Sequence, residues 1–225
     1  MDPLRNDADF LRPRSCFREP IPEIFQSAEL LRQALERHRA NDRAEAEKLI
    51  ITADNDAVRE WLESLWGSSK LNPDQWKYLR VRKVPNSPPI LPKSKRLPLR
   101  MPTKEGKTEI IRRHGRTCAF CGIPLITVEV RKAFNQLYPN AARWGPKNTD
   151  YHAAFACMWL QYDHILPHSR GGDNSMENLV LTCAGCNFGR MGYTLEQVGL
   201  LDPRLRTPPP NSWDGLEAIL SLTIT

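Results

Sequence analysis

The sequence predicts a mainly helical α+β chain that contains one antiparallel pair of strands followed by a short helix. Apolar residues recur at helical spacing in much of the chain, whereas residues 159–166 and 179–182 are apolar, β-branched runs joined by a Gly/Asp/Asn/Ser loop. Two C-x-x-C pairs bracket these runs. A unit this small buries too little apolar surface to fold alone, so the cysteine pairs predict a metal that stabilises it.

A small helical region is predicted at the N-terminus, with helices at residues 24–38, 44–51 and 56–66. The third is the clearest, because apolar side chains recur at i, i+3, i+4, i+7 and i+8 and a glycine follows them. These residues are Val58, Trp61, Leu62, Leu65, Trp66 and Gly67. The aromatic side chains of this stripe are predicted to lie in the core.

The four paired cysteines are predicted to bind one structural zinc. They are Cys118, Cys121, Cys183 and Cys186. Thiolates in two C-x-x-C pairs are the soft, tetrahedral ligand set that zinc prefers. Disulfides are the alternative, but the spacing and a reducing compartment favour zinc. Cys16 and Cys157 are left over as free thiols, the second of them in a core.

The positive charge is concentrated in one part of the chain. The net charge is +6, yet residues 80–116 hold twelve Lys/Arg and two Asp/Glu, so the remainder is about −4. Six prolines in residues 80–106 exclude a regular helix and predict a semi-extended linker. Its cations predict contact with phosphates, the alternative being a solvated tether. The candidates are Arg82, Lys83, Lys93, Lys95, Arg96 and Arg100.

The composition also bears on location. No run approaches the roughly 18 apolar residues of a membrane span, and the first residues lack the apolar core of a signal peptide. We therefore expect no membrane contact and a cytoplasmic, intracellular setting, in which thiols stay reduced.

An insertion is predicted between the first cysteine pair and the first strand, at residues 127–160. Helical spacing at residues 130–137 predicts its first helix, and Asp150 is placed to cap a second one that runs to Trp159. Between them, residues 142–148 form a basic, aromatic loop. Contact with a substrate and packing over the cysteine pairs are both open for this loop.

Three further helices follow from local signals. Residues 108–113 predict a short helix that leads into the first cysteine pair. Thr194 and Gln197 have the spacing of a capping box and predict the start of another. A last short helix is predicted at residues 213–220.

One constellation between the cysteine pairs carries a family resemblance. Asp163 and His164 end the first predicted strand, a Gly-Gly loop follows, Asn178 precedes the second strand, and Asn187 follows the last cysteine directly. This arrangement resembles the HNH endonuclease family, over about residues 108–200. The resemblance implies a ββα-metal nuclease core with a four-cysteine zinc site.

The resemblance also implies roles for these residues. His164 would be the general base, and Asp163 and Asn187 would hold a catalytic Mg²⁺ or Mn²⁺. Asn178 would tie the loop between the strands, and Arg190 would contact phosphate. A contact of His168 with metal or phosphate is open. The implied substrate is DNA.

The resulting hypothesis is a metal-dependent DNA endonuclease. Its expected divisions are a helical region at 1–79, a basic linker at 80–106, a nuclease domain at 107–200 and a tail with a short helix at 201–225. The alternatives are a zinc-knuckle protein that binds nucleic acid without cutting it, and a zinc domain that contacts proteins. We expect a bacterial protein, with phage defence and restriction among the open pathways, and the N-terminal helices as a candidate surface for a protein partner.

Overall fold

The computed structural model describes residues 13–65, 78–206 and 212–222. Within these residues the fold is the predicted one: a mainly helical α+β chain in which one strand pair and a helix form a ββα unit beside the cysteines. In the described part of the chain, no helix combines the length and apolar character that crossing a membrane requires.

Three helices form the described N-terminal region, as predicted. They are α1 (Pro22–Arg39), α2 (Arg43–Ala53) and α3 (Asp56–Glu63). The Asp42 side chain accepts a hydrogen bond from the Glu45 backbone and so caps α2, and Asn55 caps α3 in the same way. The third helix ends at Glu63, with Ser64 as its C-cap, three residues before the predicted end at Trp66; Trp66 and Gly67 lie outside the described residues.

Two longer helices flank the first cysteine pair. The helix α4 (Lys104–His114) begins four residues before its predicted start, because the Thr103 side chain caps it by accepting from the Gly106 backbone. The helix α5 (Val128–Leu137) is the first helix of the insertion and agrees with its predicted range.

The second insertion helix is shorter than predicted. It is α6 (Ala153–Cys157), and its cap is His152, whereas Asp150 closes a preceding 3-10 turn (Asn148–Asp150). The chain leaves the helix before Trp159, because that residue bridges to Ile126 beside the sheet. Tertiary pairing therefore overrides the local capping signal.

The strand pair consists of β1 (Leu160–His164) and β2 (Leu179–Cys183), which run antiparallel with Leu160 opposite Cys183. The helix α7 (Ala184–Arg190) follows β2 without a break. The predicted capping box is present at the next helix, α8 (Leu195–Val198). Successive side chains of β1 point to opposite faces of the sheet.

Two apolar clusters fill the interior. One joins α3 to the cysteines, the strands and α7, and the other joins α1 and α2 to the insertion helices. A Cβ atom added at Gly185 would lie 3.2 Å from the side chains of Trp61 and Leu65, and one added at Gly189 would lie 3.2 Å from the Leu65 carbonyl oxygen. Glycine at these two positions of α7 therefore permits its close approach to α3 and the turn that follows. The described N-terminal helices thus pack directly against the rest of the chain, and the division at residue 79 stays a prediction.

The last helix differs from its prediction in range. A 3-10 helix, Glu217–Leu222, stands where a short helix was predicted at 213–220. Gly215 and Leu216 both have positive φ, at 79° and 59°, so the chain turns before a helix can begin. Trp213 instead donates its indole N–H to the Leu125 carbonyl, at 2.8 Å.

Residues 80–106, here called the basic segment, are not a free tether. The backbone of the segment bonds to that of Gln197 and Ser169 through Arg82 and Leu91, at 2.8 Å each. Apart from a 3-10 turn at Lys93–Lys95 and the start of α4, the prolines keep the segment out of a helix, so other carbonyl groups of the segment are free to accept hydrogen bonds from the neighbouring loop. The segment therefore packs on this loop as a strap, and its role as a linker between domains stays a prediction.

Candidate active site and metal centre

The four predicted zinc ligands come together in space. All four Sγ atoms lie within 4.8 Å of one another, and Cys121 Sγ is 3.7 Å from Cys183 Sγ. A tetrahedral zinc with Zn–S bonds of about 2.3 Å sets its sulfur atoms about 3.8 Å apart. The spacing and the ligand type therefore fit a structural zinc.

Local backbone geometry presents these thiols. Cys118 and Ile123 bond through their backbones around Gly122, whose φ is 78°, and this forms a tight knuckle. On the other side, Cys183 caps α7 and its Sγ accepts from the Cys186 backbone. The Ala119 backbone donates to the Leu181 carbonyl at 2.8 Å and docks the knuckle on β2.

The two remaining cysteines are buried free thiols. Burial raises the pKa of Cys16 to about 12 and raises that of Cys157 well above its ordinary value. Both side chains therefore stay protonated near neutral pH.

Asp163 lies on the face of β1 that meets α7. Its two carboxylate oxygens accept from the Nε and Nη2 groups of Arg190, at 3.1 and 2.5 Å. Asp163 is only 6% exposed and Arg190 only 1%. The Arg190 guanidinium also donates to the carbonyls of His164, Ile165 and Tyr193. The predicted contact of Arg190 with phosphate is therefore not what the structure shows, because its donors are used inside the protein.

Asn187 reaches the same face of β1. Its Nδ2 donates to the side chain of Gln161, two residues before Asp163, at 3.3 Å. A carboxylate and an amide oxygen are hard donors of the kind that Mg²⁺ takes. A carboxylate offers about four lone-pair positions, of which Arg190 uses two, so Asp163 keeps acceptor capacity. The donor set fits a divalent cation held by Asp163 and Asn187.

His164 points to the opposite face of β1, towards the loop that follows the strand. Its Nε2 lies 2.9 Å from Asn174 Oδ1, and its ring centroid lies 5.7 Å from that of His168. The side chain is 5% exposed. Burial lowers the pKa of His164, although its bond to Asn174 opposes this, so the imidazole is neutral near pH 7.

The loop between the strands is held by Asn178. Its Oδ1 accepts from the Leu166 backbone at 2.8 Å, and its Nδ2 donates to the carbonyls of Leu166 and Asp173. Gly172 is required here, since a Cβ would lie 1.7 Å from the Leu166 carbonyl oxygen. Asn178 thus shapes the loop that carries His168 and Asn174.

The basic segment lies across this loop. Its carbonyl groups accept from three loop side chains: Leu97 from His168, Leu99 from Asn174 and Pro88 from Arg170. Four of the six predicted phosphate-binding cations are exposed: Lys83, Lys93, Lys95 and Arg100. Arg96 and Arg82 are half-buried, and each donates to a backbone carbonyl, of Leu91 and Glu196 respectively. The segment therefore carries its charge next to His164.

A family model of HNH endonucleases matches residues 153–194. The chain contains an HNH endonuclease domain. The match spans α6, both strands and α7, and it includes every candidate catalytic side chain named above. Cys118 and Cys121 lie outside it, so the HNH domain is completed by a knuckle from earlier in the chain. No curated protein and no solved structure matches this sequence.

Three polar residues near the HNH motif were missed by sequence reasoning. Asn174, Arg170 and Gln161 all bond to the predicted site residues or to the basic segment. Asn174 stands in a Gly-Gly-Asp-Asn run that has the composition of an ordinary turn. The contact of Asn174 with His164 depends on how the loop folds back against the end of β1, which its composition does not indicate.

We expect the purified protein to hold about one zinc per chain, and Cys183→Ser to lose that zinc and destabilise the HNH domain. The reason is that a two-stranded unit needs the free energy of metal binding to fold. Metal analysis together with thermal unfolding measures both effects.

The matched control is Cys157→Ala, which removes an equally buried thiol outside the cluster and should keep the zinc. A zinc-free wild-type protein, or a Cys183→Ser protein with full zinc content and wild-type stability, would contradict the assignment.

We expect Arg190→Ala to destabilise the protein by about 3–5 kcal/mol, because it leaves the Asp163 carboxylate buried without its partner. Denaturant unfolding followed by tryptophan fluorescence measures the loss. Arg112→Ala removes the exposed ion pair with Glu109 and should leave the unfolding midpoint unchanged. Equal midpoints for the two variants would show that Arg190 is not a structural residue.

Proposed function

We propose that this protein is a metal-dependent DNA endonuclease whose general base is His164. The base takes a proton from the attacking water as the phosphodiester bond is hydrolysed. The observation that carries the proposal is the HNH match over a ββα unit in which a hydrogen-bonded histidine ends β1 beside a cationic segment.

Asp163 and Asn187 are the proposed holders of a divalent cation. Such a cation stabilises charge on the phosphate oxygens and on the leaving 3′ oxygen as a Lewis acid. The protein supplies a carboxylate on β1 and an amide on α7, and the Asp163–Arg190 ion pair joins these two elements. Arg190 holds the Asp163 carboxylate in one orientation, and we assign it this positioning role in place of phosphate contact.

DNA is the proposed substrate because the HNH family match implies a nucleic acid and because exposed cations lie on the segment that crosses the His164 loop. Lys93, Lys95 and Arg100 are exposed on the segment that crosses the His164 loop. Phosphate contacts of this kind give affinity that depends little on base sequence. Specificity for sequence or modification would then come from other surfaces or from a partner.

A second candidate is a zinc-knuckle protein that binds nucleic acid without cutting it. The Asp163–Arg190 ion pair favours it, since an arginine already neutralises the carboxylate. This candidate predicts binding without turnover, so a cleavage assay separates the two functions.

We expect His164→Ala to reduce nicking of supercoiled plasmid by about 10²–10⁴-fold, the usual loss on removing a positioned base. Wild-type activity should require Mg²⁺ or Mn²⁺ and disappear in EDTA. Gel quantification of nicked and linear product against time measures the rate.

Zinc content and DNA affinity should survive in His164→Ala, because the side chain contacts neither the thiols nor the exposed cations. His38→Ala, on α1, is the matched control and should cut normally. Near-wild-type cutting by His164→Ala would refute the base assignment, and a wild-type protein that binds but never cuts would favour the second candidate.

We expect the triple variant Lys93→Ala, Lys95→Ala, Arg96→Ala to bind unrelated duplexes with similarly reduced affinity. The slope of log affinity against log salt should flatten by about 0.9 for each phosphate that the variant no longer neutralises. Fluorescence anisotropy titrations at several salt concentrations measure both quantities.

The matched control removes three cations from exposed positions elsewhere: Arg37, Arg39 and Lys132. It has the same net charge but should keep the wild-type slope. Equal slopes for both triple variants would mean that the segment does not contact the DNA backbone.

A further inference from the structure

We propose that Asn174 is a positioning residue that couples the basic segment to His164, by fixing which ring nitrogen carries the proton. This inference rests on the proposed function for its catalytic consequence, but its structural part does not depend on cleavage. It follows from the hydrogen-bonding capacity of three groups: backbone carbonyls, a side-chain amide and an imidazole.

The basic segment sets the orientation of the Asn174 amide. Asn174 Nδ2 lies 2.9 Å from the carbonyl oxygen of Leu99 and 3.3 Å from that of Met101. A carbonyl oxygen only accepts hydrogen bonds, so the NH₂ end of the amide must face the segment. The reversed amide would set oxygen against oxygen at both contacts.

The amide then sets the form of the imidazole. With its NH₂ end on the segment, Asn174 presents Oδ1 to His164 Nε2 at 2.9 Å. Because Oδ1 only accepts, Nε2 must carry a hydrogen, and Nδ1 of the neutral ring keeps the lone pair. Nδ1 is therefore the nitrogen that takes the proton of the attacking water.

The coupling depends on how the segment is docked. Pro98 and Pro102 flank the two carbonyls and keep this stretch out of a helix, where those carbonyls would be paired. A second bond, from His168 Nε2 to the Leu97 carbonyl at 3.0 Å, holds the same stretch on the loop. If the segment lifts, the amide loses its fixed orientation and His164 loses its fixed acceptor.

The segment thus has two roles at one place. Its exposed cations face solvent, where phosphates would contact them, while its backbone holds Asn174 against the base. A DNA strand that binds Lys93, Lys95 or Arg100 would act on the same stretch that orients His164. Docking of the basic segment therefore determines whether His164 keeps the tautomer in which Nδ1 can accept a proton.

The experiment compares Asn174→Ala, Asn174→Asp and the neighbouring control Ser175→Ala. The aspartate keeps an acceptor for His164 but has no donor for the Leu99 and Met101 carbonyls. The Ser175 hydroxyl donates to the Asp173 carboxylate and makes no bond to His164, and the backbone bonds of Ser175 are kept in the alanine variant. Three readouts are taken: ring-nitrogen NMR of ¹⁵N-histidine protein, trypsin cleavage after Arg96 and Arg100, and kcat and KM on plasmid DNA.

In the wild-type protein and in Ser175→Ala, we expect a slowly exchanging proton on His164 Nε2. Asn174→Ala should exchange that proton at least about tenfold faster, the scale of one lost hydrogen bond, and Asn174→Asp should keep it protected. Both Asn174 variants should be cut faster by trypsin at Arg96 and Arg100. In Asn174→Ala, kcat should fall about tenfold with KM nearly unchanged, and Asn174→Asp should recover part of kcat.

An Nε2 proton that exchanges equally in the wild type and in Asn174→Ala overturns the proposal. So does trypsin cleavage that none of the variants changes. The NMR and trypsin results need no turnover, so a wild-type protein that cuts no DNA would refute the proposed function while leaving this coupling testable. Normal cutting by Asn174→Ala would instead overturn the coupling and leave the endonuclease standing.

Discussion

The closure of four thiols into one cluster is the constraint on which the site depends. It joins a knuckle at Cys118 and Cys121 to the end of β2 and the start of α7, segments about sixty residues apart in the chain. A two-stranded sheet has no stability of its own in water. The closed cluster fixes the orientation of α7 relative to β2. Strand β1 is then held by its pairing with β2 and by the contacts of Arg190 with Asp163.

Strand alternation divides the chemistry between two faces of β1. Asp163 faces α7 with Asn187 and Arg190, whereas His164 faces the loop with Asn174 and His168. The side chains of Asp163 and His164 therefore do not meet, although the residues are adjacent in the chain. They form two half-sites on opposite faces of the end of β1. The Asp163 carboxylate and the His164 imidazole have different side-chain partners, but Arg190 also donates to the His164 carbonyl and so connects the two faces through the backbone.

Sequence patterns predicted much of this arrangement. The features that they did not predict share one cause, which is that contacts between residues far apart in the chain decide them. The strand pair, the helices α1 to α3, the capping box at Thr194 and the HNH identity all follow from short motifs whose physics is local. Asp150 was misread because Trp159 pairs with Ile126, which lies far from it along the chain, and the buried ion pair of Arg190 with Asp163 likewise has no local signature. The docking of the basic segment was missed for the same reason, since free carbonyls carry no sequence signature.

The described N-terminal helices and the insertion pack against the ββα unit and its flanking elements. Trp61 and Leu65 press on glycines of α7, the helix that carries Asn187 and Arg190, and α1 and α2 bury their apolar faces against the insertion. Helix α3 and the turn after it therefore support α7, the helix that contacts Asp163 of β1 through Arg190. On the other face of β1, the loop after the strand is covered by the basic segment, which is held by bonds from the side chains of His168, Arg170 and Asn174 and by its own backbone bonds to the rest of the chain. The same segment carries the exposed cations, so its backbone fixes its position beside His164 while its side chains present the charge.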